Sequence, residues 1–267
     1  NNMDILGKIV IGEGELDEAP MLFIGEKLGT KNGPEFDIAV DPLEGTNFAA
    51  NNLPGALSVI AIAEKNNLFK APETYMEKIS ANVLEKNVVD LDFSLKKNID
   101  NLSQYKNKRP EDLTVCILDR PRHKQIINEL NNYNVKLKLI TDGDVSGALL
   151  VTKESYNVDL FLGIGGGPEG VLAASALDAY NCFFQGKFLF ESEVEKNRAN
   201  KMGINDYNKK YELDEIISGD SIFCATGITS GDIVSGIEIE NNEFTSETLI
   251  THKSSGLKKI IKLKQKI

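Results

Sequence analysis

The sequence predicts a layered α/β protein, and three observations carry that prediction. Short β-branched runs alternate with helical patterns from one end to the other. Composition is ordinary for a globular chain, with 41% hydrophobic and 26% charged residues over 267 positions, enough to bury a large core. Apolar runs stay short, as in Val59-Ile60-Ala61-Ile62-Ala63, far below the roughly 18 residues of a membrane span.

The predicted strands, in order, are Ile9-Val10-Ile11, Ile38-Ala39-Val40, Ser58 to Ala63, Leu113 to Leu118, Val135 to Ile140, Val158 to Leu162 and Ile222 to Ala225. Apolar residues at three-to-four spacing predict helices over Ala19 to Leu28, Ser94 to Tyr105, Pro121 to Asn132, Val145 to Thr152, Pro168 to Tyr180 and Glu191 to Met202. The polar stretch Asn98 to Asp112 contains Pro110, which stops a helix. A join near Arg109 therefore divides the chain into 1–109 and 110–267. The last fifteen residues hold six lysines, and from Ile261 apolar residues alternate with Lys or Gln, as in a solvated edge strand.

A formal net charge of −10 excludes a phosphate-backbone binder, because nucleic-acid recognition needs a basic field. The opening Asn1-Asn2-Met3-Asp4-Ile5 carries no export pattern, which predicts a cytoplasmic address and no membrane partner. Cys116, Cys182 and Cys224 lie far apart and form no CxxC pair, so they are expected to be reduced core residues. With only His123 and His252 available, a triple-histidine zinc site is impossible. Any metal must be held mainly by oxygen, which favours Mg²⁺ or Mn²⁺.

The chemistry concentrates in Asp37-Ile38-Ala39-Val40-Asp41-Pro42-Leu43-Glu44-Gly45-Thr46, an apolar strand that delivers two carboxylates and a hydroxyl into a tight turn. Pro42 fixes φ, and Gly45 lets backbone approach a ligand closely. A helix starting near Thr46 would add free N–H groups beside the carboxylates. Acids alone repel phosphate, but divalent cations between them reverse that sign. Upstream, Glu13 lies in a second acidic, glycine-bearing turn at the end of a strand, where it supplies a third oxygen ligand for a two-metal site.

Two further strand ends carry polar loops, Thr141-Asp142-Gly143-Asp144-Val145 and Gly163-Ile164-Gly165-Gly166-Gly167-Pro168-Glu169-Gly170, where open α/β sheets bind ligands. The second is no dinucleotide loop, since Pro168 stands where the last glycine or alanine belongs. Two of only four arginines fall in Asp119-Arg120-Pro121-Arg122-His123, directly after a strand, and paired guanidinium bonds there would grip a phosphate. His123 is a neighbour that could assist, and His252 is expected to be structural. The Val171 to Leu177 stripe and the runs around Cys116 and Cys224 are expected to be packing.

The Asp41-Pro42-Leu43-Glu44-Gly45-Thr46 string resembles the metal-binding signature of the lithium-sensitive phosphatase superfamily. The string from Ile11-Gly12-Glu13-Gly14-Glu15-Leu16-Asp17-Glu18-Ala19-Pro20 to Gly29 is similar to one subgroup, the class II or GlpX-type fructose-1,6-bisphosphatases. The resemblance extends over essentially the whole chain. It implies an αβαβα sandwich, a homo-oligomer (dimer or tetramer) and a sugar bisphosphate as substrate. Within it, Glu13, Asp41, Glu44 and Glu169 would hold the metals. Glu44, Gly45, Thr46, Tyr75, Arg120, Pro121, Arg122, Asp142, Gly143, Asp144 and Gly166 would contact the sugar phosphate.

The implied reaction is hydrolysis of the 1-phosphate of fructose 1,6-bisphosphate, as in gluconeogenesis, assisted by Mg²⁺ or Mn²⁺. Thr46 and Asp17 would orient and deprotonate the attacking water. The role of Asp17 comes from the resemblance, since the residues themselves equally allow Glu15 or Glu18. Sedoheptulose 1,7-bisphosphate is the nearest rival substrate, because it presents the same reacting group. A non-catalytic sugar-phosphate sensor would not need the full carboxylate set, and an inositol monophosphatase would leave Arg120 and Arg122 without a second phosphate. In one respect the chain departs from the family, which carries a longer segment with a further metal-ligand Asp and a phosphate-contacting Lys ahead of this strand. Here twelve residues precede Glu13, so either the chain is truncated or a mobile N-terminal segment lies outside this sequence; if that segment is truly absent, weakened metal binding and low activity are expected.

Overall fold

A computed structural model describes residues 2–13 and 20–267. The first half of the chain forms β1 (Leu6–Ile11), β2 (Lys27–Leu28), β3 (Glu35–Glu44), α1 (Thr46–Ala50), β4 (Leu57–Glu64), β5 (Tyr75–Ala81), α2 (Leu95–Lys106), β6 (Thr114–Leu118) and α3 (Lys124–Asn132). Then follow β7 (Lys136–Ile140), α4 (Asp144–Leu149), β8 (Leu160–Gly166), α5 (Gly167–Asp178), β9 (Phe183–Leu189), α6 (Glu193–Lys201), β10 (Lys210–Glu212) and α7 (Leu213–Ile216). The chain closes with β11 (Ser221–Gly227), β12 (Glu238–Glu240), β13 (Glu243–His252) and β14 (Leu257–Lys266).

These strands make two mixed sheets. One runs β12-β13-β11-β4-β3-β1-β2 with β14 added along β13, and the other runs β10-β9-β5-β8-β6-β7. The join expected near Arg109 falls between α2 and β6, and the second sheet takes strands from both sides of it. α4 and α5 lie between the sheets, sharing one core with β3, β4 and β11 on one side and with Met76, Phe161 and Phe184 on the other. α2 and α3 cover the far face of the second sheet through Ile99, Leu102, Ile127 and Leu130. The expected α/β sandwich is thus present, and among the described residues its layers run sheet, helices, sheet, helices.

Being enclosed from both sides explains the composition of α5. Ten of its twelve residues are buried, Val171 to Leu177 among them, as expected of a helix that is apolar all round. Ser94 caps α2 by accepting a hydrogen bond from the Lys97 N–H, and Ser192 and Glu195 form a capping box on α6. Cys116, Cys182 and Cys224 are free, as expected; burial pushes the Cys116 and Cys182 thiols up to about 12. β14 is the expected edge. It pairs only with β13, all ten of its residues are exposed, and its lysines discourage further strand addition.

The helix expected over Ala19 to Leu28 requires correction in its described part. Pro20–Leu28 lies along β1 instead, with Glu13 N–H donating to Leu22 O (3.0 Å), Gly25 N–H to Ile9 O (2.8 Å) and Ile9 N–H to Glu26 O (3.0 Å). The free edge of β1 takes the backbone bonds that a helix would keep within itself. Leu22 and Gly25 both sit at positive φ, 59° and 95°, which an α-helix does not tolerate. Strands β5 and β9 escape the sequence pattern for another reason. β5 reads Tyr-Met-Glu-Lys-Ile-Ser-Ala, and its inward face, Met76, Lys78 and Ser80, places a charge where an apolar residue is expected.

His123, the neighbour expected from the sequence to be able to assist, is fully buried. Its Nδ1 lies 2.8 Å from Leu118 O, and its Nε2 accepts the Ile164 N–H at 2.7 Å, so both ring nitrogens are used in the neutral ring. It ties the turn after β6 to β8. Burial, the largest effect, holds its pKa below the usual 6.5. Stability from this histidine is therefore present above pH 6.5 and lost as pH falls through its lower folded value. We expect His123→Ala to cost about 2–4 kcal/mol, from a cavity plus an orphaned Ile164 N–H, and to remove part of the acid-side loss of stability. Thermal melts of both proteins at pH 5 and pH 7 measure this, and equal slopes would contradict it.

Candidate active site

Between the ends of the two sheets lies a cleft of about 530 Å³, lined by Glu13, Asp41, Glu44, Thr46, Glu73 and Glu169 together with Asp142 and Pro168. The residues reach it by three local devices. In β3, Asp41 pairs with Val59 of β4 but Glu44 pairs with Leu57, so the segment Asp41–Glu44 spans three steps against two and carries a bulge at Pro42-Leu43. In a regular strand, residues three apart point to opposite faces. The extra residue turns both carboxylates toward the same cleft.

Gly45 then adopts φ 80°, directly before α1, and α1 starts at Thr46 as expected. A side chain at Gly45 would be strained at that φ, and its Cβ would lie 2.8 Å from the Phe48 ring. The second device is a parallel-strand edge. β6, β7 and β8 run parallel and deliver Arg120, Asp142 and Gly166 at the same C-terminal end, while antiparallel β5 begins there with Tyr75. The third is α5 itself, whose first turn carries Glu169 behind the N-cap Gly166.

The two halves of the site lock onto one another. The Val145 N–H, in the first turn of α4, donates to Glu44 Oε1 at 2.6 Å, and the Asn47 N–H, in the first turn of α1, donates to Asp142 Oδ2 at 3.0 Å. Each loop's carboxylate satisfies a free amide of the other loop's helix. Lys78, only 1% exposed, pairs with Asp144 and donates to Gly166 O at 2.8 Å. Neither Lys78 nor Glu73 was singled out from the sequence. The one available signal for Lys78 was a charged residue interrupting an otherwise apolar face.

The cleft holds more negative charge than its surroundings offset. Burial, then the charges of Asp41, Glu169 and Asp144, push the Glu44 carboxyl well above its ordinary value. Burial raises Asp41 also, while the Leu43 N–H, bonded to Oδ1 at 2.9 Å, pulls it partly back. Glu169 is pushed up to about 7, chiefly by burial and despite the nearby charge of Lys78. Asp144 Oδ1 and Glu169 Oε2 are buried with no hydrogen-bond partner among the described residues. Of the two, Glu169 lines the cleft, and its orphaned carboxylate oxygen in this acidic setting fits a hard divalent cation. Among the described residues no group of three or more His, Cys, Asp or Glu side chains is placed to hold a metal ion by itself. Mg²⁺-type ions do not require a closed cage, because they keep water and substrate phosphate oxygens as ligands.

Of the other expected residues, Tyr75 is exposed and stacks under the Arg122 guanidinium at 4.9 Å, and Arg122 Nε–H donates to Ile164 O at 2.9 Å. Arg120 reaches Asp142 Oδ1 at 3.6 Å. Gly143 opens α4 at φ 84°. Tyr75, Arg120, Pro121, Arg122, Gly143, Asp144 and Gly166 are not among the residues lining the carboxylate cleft. Arg120 is joined to it through Asp142, and Tyr75 pairs with Gly166 across β5 and β8. Asp17 lies outside the described residues.

Against known proteins, residues 1–265 match the model of the family described as bacterial fructose-1,6-bisphosphatase, glpX-encoded. A protein of Trichodesmium erythraeum named D-fructose 1,6-bisphosphatase class 2/sedoheptulose 1,7-bisphosphatase is 38% identical, over 96% of this chain and 81% of its own length. Proteins with the same name from Synechococcus elongatus (38% identical, 96% and 81%) and Prochlorococcus marinus strain MIT 9515 (39% identical, 93% and 79%) are similar to the same degree. A match over nearly the full chain, with relatives 38–39% identical, shows that this chain belongs to the glpX-encoded bacterial fructose-1,6-bisphosphatase family.

Proposed function

We propose that this protein is a phosphoric monoester hydrolase that removes the 1-phosphate of fructose 1,6-bisphosphate, giving fructose 6-phosphate and phosphate. The observation that carries the reading is the cleft in which Glu13, Asp41, Glu44 and Glu169 face one space beside Thr46 and Asp142. Glu13, Asp41, Glu44 and Glu169 would hold Mg²⁺ or Mn²⁺, which when bound supplies positive charge to phosphoryl oxygens and lowers the pKa of water. Thr46, at the first position of α1, orients the attacking water together with Asp17, which takes its proton. The α1 and α4 turns bring Gly45, Asp142, Gly143 and Asp144 against the sugar, and Tyr75 and Gly166 flank it.

Arg120, Pro121 and Arg122 form the turn that grips the phosphate not being cut. Arg122 is preset for this by its bond to Ile164 O and its stacking on Tyr75. A second substrate is favoured by the names of the relatives, which join fructose and sedoheptulose bisphosphatases. In this reading sedoheptulose 1,7-bisphosphate uses the same site, the protein works as a dimer or tetramer, and it acts in the cytoplasm. No described helix is long and apolar enough to cross a membrane.

The direct test is phosphate release from fructose 1,6-bisphosphate, sedoheptulose 1,7-bisphosphate and inositol 1-phosphate, each with Mg²⁺ or Mn²⁺ and after chelation. We expect release from the first two only, and only with metal. Equal release from inositol 1-phosphate would overturn the bisphosphate reading.

Asp41→Asn should lower kcat/KM by about 100-fold or more while leaving the circular dichroism spectrum unchanged, since it removes one cation ligand from a carboxylate that hydrogen-bonds only locally. Unchanged turnover would remove Asp41 from the site.

Arg122→Ala should act on binding. Loss of a charge-assisted phosphate contact of about 1.5–3 kcal/mol raises KM for the bisphosphate roughly 10- to 150-fold with a smaller effect on kcat. A monophosphate substrate should feel little of it.

Glu169 gives a pH test. Its folded value, about 7, lies above its ordinary 4.5, so in the metal-free protein its contribution to stability is complete below pH 4.5 and is lost as pH rises through 7. Glu169→Gln should therefore stabilise the metal-free protein more at pH 8 than at pH 5. Thermal melts in chelator at both pH values measure this, and an equal effect at both would contradict the assignment.

A further inference from the structure

Lys78 is among the largest side chains that are essentially fully buried among the described residues, and no step of the proposed reaction uses it. A lysine ammonium loses several kcal/mol of hydration on burial, and a buried Lys–Asp pair is often replaceable by apolar residues at no loss of stability. Its position, more than its contribution to stability, is therefore the informative feature.

The ammonium has three protons to donate. One goes to Asp144, the first residue of α4, and one to the carbonyl of Gly166, the N-cap of α5. From each contact a short covalent path leads to a carboxylate of the cleft. Next to Asp144 is Val145, whose N–H holds Glu44 Oε1 at 2.6 Å. Three residues beyond Gly166 is Glu169. The surrounding backbone leaves little room for the contacts to shift. A Cβ on Gly165 would lie 1.6 Å from Asp144 Oδ2, one on Gly166 1.9 Å from Glu169 Oε2, and one on Gly170 3.4 Å from the Lys78 Cδ.

We propose that Lys78 is a positioning residue: by tying the first residue of α4 to the N-cap of α5, its ammonium sets the separation of Glu44 and Glu169 and so the geometry offered to a divalent cation. This rests on the reading of the cleft as a cation site. Lys78 touches neither the cation nor the substrate. It acts through Asp144 and Val145 on one side and through the first turn of α5 on the other. Because these two helices lie between the sheets, the brace also couples the carboxylate of the first sheet to the helix that follows β8 of the second.

The test is Mn²⁺ binding, measured by calorimetry and by Mn²⁺ paramagnetic resonance, on the intact chain and two variants. Lys78→Met keeps most of the side-chain volume and removes the charge. The double variant Lys78→Met with Asp144→Leu leaves no buried carboxylate without its partner, and it isolates spacing from charge. We expect Lys78→Met to weaken Mn²⁺ binding by about 10-fold or more, the scale seen when a group supporting a metal ligand is lost. We expect the double variant to recover the melting temperature while keeping the weakened affinity. Should Lys78→Met fail to fold, the double variant decides by the same comparison. Wild-type affinity in either variant would overturn the proposal and leave the pair a packing feature. A wild-type chain that binds no Mn²⁺ would instead overturn the cation-site reading, and the proposal with it.

Discussion

The constraint on which the rest of the site depends is the crowding of several carboxylates, Glu44 fully buried among them, where two sheets meet. Like charges in a water-poor cleft repel one another and lose hydration, which is why Glu44 and Glu169 sit well above their ordinary pKa values. The protein offsets part of this with its own donors. Amides at the starts of α1 and α4 serve Asp142 and Glu44, and the Lys78 ammonium serves Asp144. What they leave uncompensated, including the orphaned Oε2 of Glu169, is negative charge that, in the proposed reading, would attract a divalent cation and, through it, a phosphate.

The exchange of bonds between the two loops has a structural consequence as well. Glu44 ends a strand of the first sheet, and Asp142 follows a strand of the second. Because each carboxylate accepts from the other loop's helix, the cleft is a joint of the two sheets, and its walls cannot move independently. α5, packed on both sheets, supplies the rigid floor that carries Glu169. A site that must present metal ligands at fixed separations gains from being built on such regular elements.

At the turn after β6 the design is different. Arg120 and Arg122 stand on a turn held in place from below by neutral His123, which links Leu118 and Ile164. Glu44 is buried and the other cleft carboxylates are half-buried, whereas Arg120 keeps a third of its side-chain surface open to solvent and Tyr75 is exposed. Arginine keeps its charge without burial and grips oxygen pairs by shape, so an open rim suits it.

Much of this was legible in the residues. Val40-Asp41-Pro42 and Gly166-Gly167-Pro168-Glu169 announce strand ends that carry acids into turns, and the Leu113 to Leu118 and Val135 to Ile140 runs announce the parallel strands behind them, because local propensity and burial agree there. Where a partner decides, the local pattern misleads. Pro20–Leu28 has helical spacing but spends its amides on the edge of β1, and β5 hides behind a lysine whose counter-charge lies 66 residues away. The nature of the cleft, with its acids and glycines, and of the arginine turn beside it was legible in the residues, since residue type determines which ions and phosphates a group can hold. Which of those residues share one space, that β3 bulges so Asp41 and Glu44 face the same way, that His123 is a strut and that Lys78 braces two helices, was decided only by tertiary structure, because those are relations between segments far apart in the chain, and the energy of a buried charge depends on what surrounds it.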